Sequence, residues 1–374
     1  MTQALLTLNA GSSSLKFGLF GLSDGQPYLL GGHISGLGGR PVFQAHWQDD
    51  GQDARADLPA AYGIDDAIAF ALDWLGREAK RFPIVAAAHR IVHGGARDQA
   101  VELTPAVVAD LAAFVPLAPQ HQPHNLAAVQ ALWRSHPGLR QFGCFDTAFH
   151  AHLGPLATRF ALPEGLTKKG IRRYGYHGLS YAWIAHCLGR DHPRLAGGRV
   201  VAAHLGNGAS LCAMRAGKSV DTTMGLTALD GLPMGTRCGC LDPGAVLYMQ
   251  TALGMTAGQV EALLYEQSGL LGLSGVSNDV RTLLASPDPR AGFALDYFAQ
   301  KTAQAVAAMA VSLGGLDALV FTGGIGEHAD PVRRTIVERL ALLQPFEVHV
   351  IPANEEGAMA AEVATRLPVF ATGG

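Results

Sequence analysis

Cysteine is scarce and odd in number: the 374 residues hold five. That argues against a disulfide framework, and no apolar segment with a cleavage site leads the chain, so a reducing, cytoplasmic setting is expected. Charge is sparse as well, with 16% Asp, Glu, Lys and Arg and a net charge of -3 at pH 7. Such a balance argues against nucleic acid or an anionic membrane as the main partner. No hydrophobic run suits a membrane span. The longest apolar stretch, residues 304–321, is broken by Gly314-Gly315 and Asp317 and reads as buried helix, turn and strand. Cys238-Gly239-Cys240 resembles a metal clip, but no second Cys/His pair stands at zinc spacing. There is no GxxxxGK[ST] phosphate loop and no low-complexity segment.

What is present is a globular composition, 48% hydrophobic, in a chain long enough for two domains with a core each. Strand-like runs at 4–8, 15–20, 84–88, 141–145, 199–205, 210–214, 318–322 and 347–351 alternate with helical ones. The helical runs are 65–80, 105–115, 124–135, 179–189, 243–254, 256–267, 291–313, 330–342 and 354–366, with Asp65, Pro105 and Pro331 suited to helix starts. Such alternation predicts an α/β architecture.

LLTLNAGSSSLKFGLF, residues 5–20, places a polar turn between two apolar strands. It is either a Gly/Ser hairpin with Lys16 solvated or a phosphate cradle, with Ser14 and Lys16 on one strand face. VAAHLGNGASLCAM (201–214) echoes it, and AAAHRIVHGG (86–95) is echoed by ALVFTGGIGEH (318–328). Two related halves, each with a polar hairpin and a strand ending in glycines, account for both echoes.

Chemistry-bearing residues gather at these turns. Arg90 in HRIVHGG can grip a carboxylate or phosphate with a two-pronged guanidinium. His89 and His93, at i,i+4 on an apparent strand end, do not make a metal pair. Asp146, after the strand QFGCF, is either an acid in the crevice or a helix N-cap. His177 stands in a Tyr/Gly turn before a helix, and Asn207 stands between two glycines that let backbone amides approach a ligand. A long Gly/Pro-punctuated loop, residues 224–244, carries Arg237 and Asp242. FTGGIGEH reads as a further glycine turn.

In order along nearly the whole chain, NAGSSSLK, HRIVHGG, FDTAFH, YGYHGLSY, HLGNGAS, MGTRCGCLDPG, FTGGIGE and NEE resemble the acetate and propionate kinase family. The resemblance implies two duplicated ribonuclease-H-like domains, the actin-like ATPase fold, with a nucleotide cleft between them. The first would span 1–148, completed by about 357–374, and the second 149–356. It further implies a homodimer and the reaction of ATP with acetate to give ADP and acetyl phosphate. Asn9 and Glu355 correspond to the family's magnesium (or manganese) site, and Ser12, Ser14 and Lys16 lie near the phosphates. Arg90 resembles the residue for the substrate carboxylate, Asp146 the active-site acid, and His177 and Arg237 the transition-state stabilisers. Nucleotide contacts would come from His204, Leu205, Gly206, Asn207 and Gly208, from Asp279, Val280 and Arg281, and from Gly323, Gly324, Ile325, Gly326 and Glu327. The alternatives are the same chemistry on propionate or another short acid, and, from a different class, an Hsp70- or actin-like ATPase.

Departures from the family pattern fall near the substrate. Gln120-His121-Gln122-Pro123 replaces Leu-His-Asn-Pro, Ala228 replaces a proline and Tyr176 a phenylalanine. With Val92, positions 120, 176 and 228 correspond to the pocket for the methyl group, so a wider and more polar pocket is expected. Cys238 and Cys240 stand where Ser and Asp are usual, removing an acid near Arg237, and His328 replaces an asparagine after GIGE.

Overall fold

The structure, a computed structural model, describes residues 2–11, 13–23, 27–48, 51 and 53–367. The chain divides into two compact units, Met1–Ala148 with Asn354–Gly374, and Phe149–Ala353. The helix that carries Glu355 therefore belongs to the first unit, because it packs on that unit's sheet.

The first unit is built on β1 (Ala4–Ala10), β2 (Ser14–Gly21), β3 (Tyr28–Ser35), β4 (Val42–Trp47), β5 (Asp53–Asp57), β6 (Ile84–Ile91), β7 (Val101–Glu102) and β8 (Arg140–Phe145). Their order in the sheet is β5-β4-β3-β2-β1-β6-β8-β7, antiparallel through the first five and parallel across β1, β6 and β8. Helices Ile64–Glu78 and Gln122–Ser135 cover the face that carries Leu6, Leu8, Ala10 and Ala87, and Phe17, Phe43, Trp47 and Trp74 pack in the same core. Alternation along β6 turns Arg90 to the opposite face, where helix Glu355–Ala364 lies.

The second unit has β9 (Arg199–Leu205), β10 (Ala209–Arg215), β11 (Lys218–Thr222), β12 (Ala318–Thr322) and β13 (Glu347–Val350), in the order β11-β10-β9-β12-β13. The first two pairings are antiparallel and the last two parallel, the same pattern as β3-β2-β1-β6-β8. The repeated topology is the duplicated ribonuclease-H-like architecture. Tyr181, Ile184 and Leu188 of helix Gly178–Asp191 bury against Val200, Ala202, Cys212 and Met214. The 25-residue helix Pro289–Leu313 also packs on β9, β10 and β11.

Strands β3, β4, β5, β7 and β11 extend beyond those expected. Gly31-Gly32 interrupts the side-chain alternation of β3, and β5, with alternating exposed aspartates, is an edge strand that buries nothing fully. FTGGIGEH was expected as a turn, but Gly323–His328 is a helix. Its three glycines weaken the helical signal, which packing against β9 and β12 overrides.

Candidate active site

In the first unit, Gly11 N–H bonds to Ser14 O at 2.8 Å, closing the turn between β1 and β2. Register then sets Asn9 opposite Lys16 and Lys16 opposite His33. Burial and the neighbouring Lys16 charge hold the His33 pKa below its ordinary value. Asn9, Gly11, Ser14, Lys16, Arg90 and Val92 line one cavity of about 220 Å3, together with Ala10, His121 and Asn125. Ser12 lies outside the described residues.

Arg90 is tightly held. Its Nε donates to Asp146 Oδ1 at 2.9 Å and its Nη2 to Oδ2 at 2.7 Å, while Nη1 lies 3.1 Å from Glu355 Oε2. Burial acts to lower the Arg90 pKa, but the two carboxylates outweigh it and hold the guanidinium charged, well above the arginine range. The Asp146 side chain is 2% exposed and both its oxygens accept from Arg90, so it clamps the guanidinium. Next to Glu355, burial and that residue's charge raise the Glu356 pKa.

Sequence reasoning passed over Asn125 and, having noted Gln122 as a departure from the family pattern, gave it no role. Asn125 Oδ1 accepts from Val92 N–H at 3.0 Å and its Nδ2 donates to Ala10 O at 2.7 Å, tying the ends of β1 and β6 together at the cavity. Gln122 accepts from His93 N–H and donates to the carbonyls of His93 and Leu111. Two buried amides at i,i+3 on one helix face were the available signal. Gln120 is half-buried just before that helix. His89, 1% exposed in the sheet, faces Leu8 across the pairing and does not meet the cavity.

In the second unit, His177 precedes helix Gly178–Asp191 with φ 59°, a left-handed conformation costly for a residue with a Cβ. Its Nδ1 lies 2.8 Å from Ser210 Oγ, and its ring stacks on His204 at 4.2 Å between centroids. His204 Nδ1 in turn meets Ser180 Oγ at 2.9 Å. Gly208 shows where His177 and Arg237 converge: a Cβ there would stand 3.2 Å from His177 Nε2 and 3.7 Å from Arg237 Nη1. Arg237 Nη1 donates to Ala228 O at 3.1 Å. Among the described residues no carboxylate pairs with Arg237, and Asp242 instead caps helix Pro243–Thr251. Burial lowers the Arg237 pKa, so this guanidinium is a desolvated cation in want of an anion.

The proposed nucleotide residues of this unit adjoin one another. A Cβ on Gly235 would lie 2.5 Å from Asn207 Oδ1 and 3.4 Å from Asn278, which brings the 206–208 turn beside the Asn278-Asp279 segment. A Cβ on Gly206 would lie 3.8 Å from His204 Nε2 and 3.9 Å from Gly324 N. The Leu205 and Val280 side chains are buried, leaving their backbones as the groups that could face a ligand. Asp279 caps helix Val280–Ala285, its oxygens accepting from Arg281 N–H and Thr282 N–H, and Arg281 is exposed. Glu327 Oε1 accepts from Gly323 N–H and Ala353 N–H, both at 2.9 Å, bracing the start of helix Gly323–His328. Tyr176 is 1% exposed and its hydroxyl donates to Leu226 O at 2.8 Å, so its polarity is satisfied internally.

A sequence model of the acetokinase family matches residues 4–361. The chain is 51% identical over 352 residues to an acetate kinase of Rhodopseudomonas palustris, covering 92% of this chain and 87% of that protein. It is also similar to the crystal structure of a propionate kinase from Francisella tularensis, at 34% identity and TM-score 0.91, over 98% of this chain and 100% of that one. An acetate kinase structure from Porphyromonas gingivalis matches at 32% identity and TM-score 0.82, over 97% and 99%. This chain belongs to the acetokinase family.

Proposed function

We propose that the chain catalyses reversible, in-line transfer of the γ-phosphoryl group of ATP to acetate, giving ADP and acetyl phosphate. The observation that carries the reading is the convergence of His177 and Arg237 over Gly208, with Arg237 buried and lacking a carboxylate among the described residues. Acetate ionises near the roughly 4.3 of a glutamate side chain, so it is already a nucleophilic anion at neutral pH and no base is required. Both Asp146 oxygens accept from the charged Arg90, a pairing that disfavours protonation and suits Asp146 to orienting Arg90 instead. An acetate oxygen forms the new bond to phosphorus while the bond to the bridging oxygen of ADP breaks, and that oxygen leaves with the electron pair. The barrier is the approach of two anions, so rate comes from positioning and from positive charge around the transferring group. Arg90, held in orientation by Asp146 and Glu355, presents its remaining N–H groups to the acetate carboxylate. Lys16 and Ser14 face phosphate oxygens, and His177 and Arg237 donate to the phosphoryl group in transit.

Asn9 and Glu355 supply the metal's ligands in this reading. An amide and a carboxylate are hard oxygen donors that suit magnesium or manganese. Among the described residues no group of three or more His, Cys, Asp or Glu is placed to hold a metal ion; magnesium commonly binds through one or two protein ligands together with water and substrate phosphates. When bound, the ion would neutralise phosphate charge.

Three further parts belong to the proposal. Helix Pro243–Thr251 buries none of its residues, leaving Leu247 and Tyr248 each 61% exposed, and a second copy covers this face in a homodimer. All five cysteines are free, in keeping with a cytoplasmic setting. Ala228 in place of proline leaves room beside the acetate methyl group, so propionate is accepted too. Trapping acyl phosphate with hydroxylamine across formate, acetate, propionate and butyrate tests the reading. Acetate and propionate should give hydroxamate with kcat/KM within about a hundredfold of each other, a span of about 2.7 kcal/mol. ATP hydrolysis with no hydroxamate from any acid would refute it in favour of an ATPase.

A further inference from the structure

We propose that Tyr181 and Ser210 fix the tautomer of His177, leaving its Nε2 as the protonated nitrogen that donates toward Gly208 and Arg237. The Tyr181 hydroxyl and Ser210 Oγ are 2.5 Å apart, and Ser210 Oγ is 2.8 Å from His177 Nδ1. All three residues lie on the second unit: Tyr181 on helix Gly178–Asp191, Ser210 on β10, and His177 at the helix entrance. Tyr181 and Ser210 are 0% exposed, so each hydroxyl proton needs an acceptor within the protein.

The direction of the chain of bonds follows by counting donors. Ser210 Oγ is the hydrogen-bond partner of the fully buried Tyr181 hydroxyl, whose proton must find its acceptor within the protein. The Tyr181 proton then goes to Ser210 Oγ, its side-chain partner. Ser210 in turn has His177 Nδ1 as the acceptor for its own proton. A nitrogen that accepts carries no proton, so in the neutral ring the proton sits on Nε2. His204 stacks on the ring, and Arg237 Nη1 lies near the same Gly208 position as His177 Nε2. Neither contributes a carboxylate that would favour the opposite tautomer. The left-handed backbone at His177 then has a purpose: it turns the ring so that Nδ1 reaches β10 and Nε2 reaches Gly208. Ser210 and Tyr181 are positioning residues, because they act through His177. The inference rests on the reading of His177 as a donor to the transferring phosphoryl group.

Two readouts on the full chain test it. With 15N-labelled histidine, two-bond proton–nitrogen spectra of the wild type should show His177 protonated at Nε2, and Ser210→Ala should show a mixture of tautomers. In the hydroxylamine assay Ser210→Ala should lower kcat about tenfold to a hundredfold, short of the roughly 10²–10³ that removal of a whole donor costs, with KM for acetate and ATP within about twofold. Ser210→Thr, which keeps the hydroxyl, should restore most of the rate, and Tyr181→Phe should fall between. In a His177→Gln background, whose amide donates without a choice of tautomer, Ser210→Ala should cost less than about twofold. An unchanged tautomer spectrum, a kcat within twofold of wild type, or an equal loss in the His177→Gln background would overturn the inference. If Ser210→Ala does not fold, Tyr181→Phe and Ser210→Thr carry the same comparison. Failure of the underlying reading looks different: His177→Ala would keep the wild-type kcat while the tautomer spectrum of the wild type stayed as expected.

Discussion

Gly208→Ala separates folding from catalysis at one atom. The Gly208 backbone lies outside the left-handed region, so alanine meets no conformational strain there. Its methyl would stand 3.2 Å from His177 Nε2, 3.4 Å from Cε1 and 3.7 Å from Arg237 Nη1. The first two contacts are tighter than ordinary packing, so the imidazole must yield by a few tenths of an ångström and draw back from the space it shares with Arg237. The reduced freedom of the unfolded chain favours alanine by about 0.4–1 kcal/mol, which offsets most of the crowding. Stability should therefore change by less than about 1 kcal/mol. A donor moved by up to 1 Å costs up to about a hundredfold in rate. We expect kcat to fall about tenfold to a hundredfold, or about 1.4–2.7 kcal/mol in the barrier. Acyl phosphate trapping at saturating acetate and ATP reads the rate, and calorimetry reads Tm. A variant with unchanged Tm and a kcat within twofold of wild type would show that His177 and Arg237 do not act together at Gly208. An effect confined to KM for ATP would make Gly208 a nucleotide contact and nothing more.

Asp146→Asn leaves Arg90 paired with Glu355 alone; kcat should fall about a hundredfold and stability by about 1–3 kcal/mol, and retention of most of kcat at the same magnesium dependence would contradict the clamp. Glu355→Gln should raise the magnesium concentration for half-maximal rate about tenfold or more, checked by titrating the ion at fixed ATP; an unmoved midpoint would remove Glu355 from the metal site. Burial pushes His89, His93 and His150 down to about 4 in the fold, against about 6.5 when unfolded. Because the unfolded chain binds the extra protons, their contribution is whole above about pH 6.5 and is lost as pH falls toward 4, by up to about 1.4 kcal/mol per pH unit for each. Urea unfolding between pH 7 and 4.5 should show this decline, and His89→Leu should flatten it; an equal slope in the variant would refute the assignment. Leu247→Asp with Tyr248→Asp should yield monomers by sedimentation velocity, whereas a wild type that is already monomeric would dispose of the dimer.

Much of the fold was legible because local chemistry signals it directly. The two polar hairpins, β1-β2 and β9-β10, announce themselves through apolar strands flanking Asn, Gly and Ser, and their likeness revealed the duplication. The helices at 105–112, 243–251 and 289–313 open with proline, as start signals require. Strand β5 and helix Gly323–His328 escaped notice because their residues favour neither state by themselves, and a neighbouring strand or sheet supplies the preference.

Sequence alone determined which segments are apolar and periodic, where the backbone must turn, and which short motifs mark the family, since each of these is a property of neighbouring residues. Only tertiary structure decided that Arg90, Asp146 and Glu355 form one cluster, that Asn125 ties β1 to β6, and that Tyr181 and Ser210 stand behind His177. Those groups are far apart in the chain, and their meeting depends on strand register and loop path. Burial then makes each meeting obligatory, because a polar group taken out of water must find its partner within the fold.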